Sequence, residues 1–263
     1  MKNIMHTADV QWRSRLSSLL RDGMGAAPRG KQVLEQLHAS IAVNIEESLV
    51  SDSMRKLNYR FAAAEALWII QGHNEVEILA KYNPRMRDFS DDGLILAGAY
   101  GPRLVPQFKW VVDKLLEDES TRQAVASIWT PNPEPSKDIP CTIALTFMVR
   151  NGMLHCHAFM RSSDVWLGVP YDLFSFSQVA LFILAKYNSI KRFESAHAIM
   201  PGRLYLTAAS SHLYAEHFDS AKAVLDASMV TNTLEPLPRG FSELSVIERL
   251  QDLQKRGRTA LLT

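Results

Sequence analysis

The sequence predicts one domain that mixes helices with strands, and three features carry that expectation. Two strand-like runs, Thr142 to Arg150 and Met153 to Arg161, flank Asn151-Gly152. Asn-Gly is the preferred type I′ hairpin turn, because both of its residues must take positive φ. An alanine-rich apolar run, Tyr59 to Gln71, reads as a buried helix with Glu65 in its middle. The 263 residues, 47% of them hydrophobic, suffice for one sizeable core. No linker or repeat divides them, so residues 1–263 are expected to form a single domain.

The remaining elements follow in order. Trp12, Leu16, Leu19 and Leu20 have helical spacing. Arg21 to Gly30, with three glycines and a proline, reads as a loop, and Ser40 to Ile45 as a strand. A helix over about Pro106 to Glu117 puts Phe108, Val111, Val112, Leu115 and Leu116 on one side. Ala124 to Trp129 reads as a strand, and the proline-rich stretch Thr130 to Pro140 as a loop before the hairpin. A helix over Leu173 to Lys186, a strand over Leu204 to Ala208 and a helix over Tyr214 to Ala227 complete the pattern.

Charge and cysteine usage exclude several classes. Lys plus Arg is 29 and Asp plus Glu 28, so no basic field exists to hold a nucleic acid polymer. Phosphate recognition must come from a few placed arginines. Cys141 and Cys156 form neither a disulfide framework nor a zinc pattern, which points to a reducing, cytoplasmic setting. His155 and His157 alternate with Cys156 along one strand and read as sheet residues, so no metal is expected. Met1 to Leu16 lacks the apolar stretch of a signal peptide, and no segment reaches the roughly 18 apolar residues of a membrane span. A soluble protein with no membrane partner is expected.

Four places could carry chemistry. Cys141 follows Pro140 at the head of an apolar strand. It is either a small buried hydrophobe or a nucleophile, and the second role needs positive charge nearby, which Arg161 at the end of the partner strand could supply. Glu65 either points outward or is buried; burial would raise its pKa toward the range useful for proton transfer. Arg161-Ser162-Ser163-Asp164 and Gly168-Val169-Pro170-Tyr171-Asp172 crowd polar groups around a strand end flanked by Val165, Trp166 and Leu167. They are ordinary loop polarity or partners for a ligand. His212-Leu213-Tyr214 is a weaker pair of the same kind.

In order and spacing these pieces resemble the thymidylate synthase family. That family has Pro-Cys, then twenty residues later Arg-Ser-x-Asp, then Leu-Gly-x-Pro-aromatic and a base-reading residue. Here Cys141 is followed twenty residues on by Arg161, and the run to Asp172 keeps the pattern without a gap. His212 and Tyr214 resemble the family's ribose pair, and Glu65-Ala66-Leu67-Trp68 with Gln71-Gly72 resembles its glutamate helix. Ala99-Tyr100-Gly101 resembles its Tyr-Gly segment. Arg29 and Arg122 match phosphate arginines, the latter one that the family donates across a dimer interface. The resemblance spans roughly Arg29 to His217 and is most specific in the middle block.

The resemblance implies an α+β fold, a large twisted mixed sheet covered by helices, in a homodimer formed through stacked sheets. It implies 5,10-methylenetetrahydrofolate as co-substrate and a pyrimidine monophosphate as substrate. Cys141 would attack C6 of the base; Glu65, with Tyr100, would organise water and move protons. Arg29, Arg161, Ser162, Ser163 and the partner's Arg122 would hold the phosphate, and His212 and Tyr214 the sugar. Asp164 would bind the pterin, with Trp68, Leu167, Gly168 and Tyr171 around the folate.

Departures from the family redirect the substrate. Asp172 stands where uracil-specific members have Asn, which suits cytosine's reversed edge. Thr142 replaces a His on the O4 side of the base, and Thr121 replaces one of two paired arginines. The segment Gly257 to Thr263 lacks the apolar, valine-ending tail that closes over folate. Together these changes resemble the phage-type deoxycytidylate hydroxymethylases, which hydrate an exocyclic methylene, and Ser162 follows the deoxynucleotide members. The alternatives are methylation of dCMP with folate as reductant, hydroxymethylation of CMP, and a silent nucleotide-binding paralogue.

Overall fold

The computed structural model describes residues 4–191 and 198–262; the first three residues of the N-terminal stretch and Thr263 of the altered C-terminal segment lie outside these. Helix α1 (Ala8–Asp22) opens the chain, capped by the Thr7 side chain on the Val10 N–H, and buries Trp12, Leu16 and Leu19. After it come β1 (Met24–Ala26) and β2 (Val33–Asn44). Arg21 to Gly30 is therefore not all loop: β1 pairs antiparallel with β2 as a short edge strand.

Helix α2 (Tyr59–Ile70) begins where the Asn58 side chain accepts the Phe61 N–H at 3.1 Å. Short helices α3 (Val76–Ala80) and α4 (Gly101–Leu104) lead to α5 (Phe108–Glu117). Strands β3 (Val125–Ser127), β4 (Thr142–Arg150) and β5 (Met153–Asp164) follow. The hairpin turn is as expected: Asn151 has φ 54° and Gly152 φ 71°.

Helix α6 (Val169–Lys191) is the central core helix, buried at most positions from Val169 to Asn188. By length and composition it is apolar enough to cross a membrane, contrary to the expectation that no segment qualifies; most of it is inside the protein. Strand β6 (Met200–Tyr214) is much longer than the five residues expected and carries His212 and Tyr214. The helix expected from Tyr214 begins only at Phe218, as α7 (Phe218–Asp226). β7 (Thr233–Leu234), α8 (Glu243–Arg256) and β8 (Leu261–Leu262) close the chain, with β7 and β8 paired antiparallel.

The main sheet runs β1-β2-β6-β5-β4-β3. β5 and β6 are parallel and every other neighbouring pair is antiparallel, so the fold is the expected α+β with a mixed sheet. A parallel pair needs a long crossover, and α6 is that crossover. One sheet face carries Leu145, Phe147, Cys156, Ala158, Leu204 and Leu206 into the core under the helices. On the other face, alternate residues Met148, His155, His157, Phe159, Tyr205 and Thr207 stay half-exposed or exposed. There the rings of His157 and Phe159 stack at 4.0 Å, and His157 Nε2 meets Thr207 Oγ1 at 2.8 Å.

Candidate active site

The parallel β5–β6 register and the two helices α2 and α6 bring the predicted residues to one end of the sheet. Cys141 sits immediately before β4, beside the end of β5. The Arg161 backbone N–H donates to the Cys141 carbonyl at 2.9 Å. Its guanidinium donates to the carbonyls of Pro140 (Nε, 2.9 Å) and Ile139 (Nη2, 3.0 Å), and Nη2 lies 3.8 Å from Cys141 Sγ. One arginine thus fixes the backbone before the thiol and sets a positive charge on the sulfur.

That charge does not win outright. Burial pushes the Cys141 thiol up; Arg161 and, less strongly, Arg29 pull it down, while Asp172 and Asp138 push it up. The net shift is upward, so the ligand-free thiol is protonated near neutrality.

Glu65 lies mid-way along α2, facing α6, where Ser175 Oγ donates to its Oε2 at 3.2 Å. Burial pushes the Glu65 carboxyl up to about 7, with Ser175 pulling it back. Asp172, in the first turn of α6, is driven well above the usual carboxylate range by burial and then by the neighbouring charges of Glu65 and Asp164. Gly168 makes room for it: a Cβ there would sit 3.2 Å from Asp172 Oδ2 and 3.1 Å from the Asp164 carbonyl. Tyr100 is raised chiefly by burial, then by Asp172 and Cys141. Its hydroxyl accepts from Thr142 Oγ1 at 3.1 Å, and its ring stacks on Phe176 at 6.0 Å. Glu65, Tyr100, Cys141 and Asp172 each keep partial exposure among buried neighbours, the pattern of groups lining a cleft.

A second subsite adjoins the first. Asp164 pairs in register with His212, and its Oδ1 accepts the Trp166 and Leu167 N–H groups at 2.8 Å each. Burial raises Asp164, while the Leu167 N–H, His212 and His217 oppose the rise. Burial lowers His212, against the pull of Asp164. The His212 and Tyr214 rings meet edge-on at 5.2 Å. Arg29 acts electrostatically, and weakly, on both Cys141 and His212. It is held in the left-handed region, φ 53°, which a non-glycine residue rarely adopts.

The other expected members are placed as follows. Arg122, expected to serve a partner's site, is exposed in the loop before the edge strand β3. Ser162 and Ser163 alternate across β5; the Ser163 hydroxyl is buried without a hydrogen-bond partner among the described residues. Trp68 is buried, its Nε1 donating to the Glu75 carbonyl at 3.2 Å. Leu167 is exposed, and Tyr171 packs edge-on against Phe61.

Sequence reasoning missed two residues. Ser175 lies three positions after Asp172, on the same helix face, and that spacing is the signal that could have found it. Arg55 stacks over the Trp166 ring at 4.9 Å and donates to the Trp166 carbonyl at 2.9 Å. Its Nε is buried without a partner among the described residues. A cavity of about 1200 Å³, lined by Asn44, Met148, His155, Tyr205 and Arg249 among others, lies apart from all of these and includes none of Cys141, Glu65 or Asp172.

A family model described as thymidylate synthase matches residues 10–239. The chain belongs to the thymidylate synthase family. The resemblance read from Cys141 through Asp172 is thereby borne out, as is the fold it implied. The chain is also similar to the deoxyuridylate hydroxymethyltransferase of Bacillus phage SP01, at 30% identity over 257 residues. That alignment spans 87% of this chain and 64% of the relative, so the chain accounts for less than two thirds of the relative's length.

Proposed function

We propose that this member of the thymidylate synthase family is a dCMP 5-hydroxymethylase. It takes a one-carbon unit from 5,10-methylenetetrahydrofolate to C5 of dCMP and adds water to the new exocyclic carbon. The observation that carries the reading is Asp172, half-buried and near enough to Cys141 to act electrostatically on its thiol. A protonated Asp172 donates to cytosine N3 and accepts from the 4-amino group. An ionised Asp172 accepts from the amino group and favours a protonated N3. Cytosine is therefore matched in both states and uracil in one, because an ionised carboxylate leaves O4 without a donor.

The remaining residues take roles consistent with their surroundings. Cys141 adds through sulfur to C6, with Arg161 favouring the thiolate as the proton leaves. Glu65, titrating at about 7, is suited to give and take protons near neutrality. The Thr142–Tyr100 hydroxyl pair holds a polar chain beside it. Arg29, Arg161 and Ser162 hold the phosphate, and His212 and Tyr214 the sugar's 3′-hydroxyl. The folate supplies the one-carbon unit. Arg55 fits such a group: a buried guanidinium N–H with no acceptor among the described residues, next to Trp166 and Asp164, suits an anionic, ring-bearing ligand. Asp164, Tyr171 and Gly168 would line the same subsite.

The chain is further proposed to act in the cytoplasm as a homodimer through the open sheet face, with the partner's Arg122 completing the phosphate site. Stacked rings of His157 and Phe159 on that face support it.

The activity for which the phage relative is named favours a second reading, hydroxymethylation of dUMP. One experiment separates them. Equal amounts of dCMP and dUMP are incubated with methylenetetrahydrofolate and the products weighed by mass spectrometry. Hydroxymethyl-dCMP in excess supports the proposal. A uracil product sinks the reading of Asp172, and a methyl product sinks the hydration step. With CMP added as a third competitor, its preferred use would overturn the deoxynucleotide assignment.

A further inference from the structure

Helix α6 carries two polar side chains three residues apart, Asp172 at the cleft and Ser175 turned toward α2. Residues at that spacing share a helix face, so the helix that delivers the base-reading acid also delivers Ser175. Ser175 is 1% exposed. A buried serine inside a helix commonly turns its hydroxyl back on a carbonyl four residues earlier. Here the hydroxyl crosses to α2 instead and donates to Glu65 Oε2 at 3.2 Å. It is the only hydrogen bond among the described residues that acts on this carboxyl, and it reaches Oε2 rather than Oε1.

Building on the proton-moving role proposed for Glu65, we infer that Ser175 is a positioning residue: its hydroxyl holds Oε2 and leaves Oε1 to exchange protons with the substrate side of the cleft. A donor to one oxygen also favours the charged form of the group. Removing it therefore makes Glu65 release its proton at higher pH, as well as freeing the carboxyl to rotate. A purely structural serine would do neither.

The test compares the full-length protein with Ser175→Ala, Ser175→Thr and Glu65→Gln. Alanine is smaller than serine and a better helix former, so the first variant should fold. Two readouts are followed against pH: tritium release from 5-tritiated dCMP in the presence of methylenetetrahydrofolate, and the 13C shift of the Glu65 carboxyl in ligand-free protein. The Glu65 signal is assigned by its loss in Glu65→Gln. In Ser175→Ala both midpoints should move up by about one pH unit, with kcat at pH 7 down by up to about tenfold and KM for dCMP unchanged. Ser175→Thr should restore both midpoints. Midpoints unchanged in Ser175→Ala, whatever its kcat, overturn the inference. Full tritium release by Glu65→Gln would instead overturn the proton-moving role, and the carboxyl titration would still report whether Ser175 acts on Glu65.

Discussion

Arg161 Nη2 lies 3.8 Å from Cys141 Sγ, while its other N–H groups hold the carbonyls of Pro140 and Ile139. The guanidinium opposes the burial that raises the thiol. Loss of that charge leaves burial, Asp172 and Asp138 unopposed except by Arg29. In Arg161→Gln the pH midpoint of iodoacetamide alkylation at Cys141 should therefore move up by about one unit. At a fixed pH below the midpoint, the rate should fall about tenfold. Arg161→Lys keeps a charge but not the planar fork, and should fall between the two. Alkylation indifferent to all three side chains would remove Arg161 from any part in activating the thiol.

On the proposed reading, Asp172 discriminates because it can ionise. Asp172→Asn gives the site one fixed donor and one fixed acceptor, with no state that only cytosine can meet. The dCMP-to-dUMP ratio of kcat/KM should fall by about a hundredfold in the variant, within the range seen where buried polar groups are left unpaired. In the wild-type protein the ratio should rise with pH, since ionisation of Asp172 disfavours uracil alone. Burial, Glu65 and Asp164 place that rise well above the ordinary carboxylate range. A ratio flat with pH and untouched by the substitution would mean that Asp172 does not read the base.

How far the sequence reveals this site depends on how its parts are strung along the chain. Cys141, Arg161, Asp164 and Asp172 lie within one hairpin and the turn that follows it, so their spacing alone betrays them. Ser175 and Glu65 are 110 residues apart, and nothing local ties them until α2 packs on α6. The same limit governs the fold. The alternation of Leu204, Leu206 and Ala208 marks a strand, but β6 runs on through Ser210, Ser211 and His212, whose polar side chains broke the pattern. Helix α8 was invisible beneath its charges, although Val246, Leu250 and Leu253 fall at helical spacing and are buried. The edge strand β1 is too short and glycine-rich to announce itself.

The open sheet face gives a separate prediction. Phe159 is 38% exposed and stacked on His157. A charge at its centre should oppose a second sheet. Phe159→Glu should sediment as a monomer where the wild-type chain is a dimer. If Arg122 completes the partner's phosphate site, mixing Cys141→Ser with Arg122→Glu should restore about a quarter of wild-type activity, since half the dimers are mixed and each has one intact site. A wild-type monomer, or no restoration in the mixture, would defeat this arrangement.

On the proton-moving role proposed for it, Glu65 links function to stability through pH. Its folded carboxyl keeps a proton to about pH 7, whereas an unfolded one releases it near 4.5. Between those values the unfolded chain binds fewer protons, so stability falls as pH rises, and the loss is complete above about 7. A raised carboxyl thus favours the folded state least at alkaline pH, by about 3 kcal/mol on the shift cited. Glu65→Gln removes the ionisation but keeps an acceptor for Ser175. It should match the wild-type protein in denaturant stability at pH 4.5 and exceed it by about 2–3 kcal/mol at pH 8. Tritium release should be lost in the same variant, because a group that destabilises the fold near neutrality is retained for what it does to the substrate. A stability difference that is the same at both pH values would show that Glu65 is not held protonated in the folded molecule.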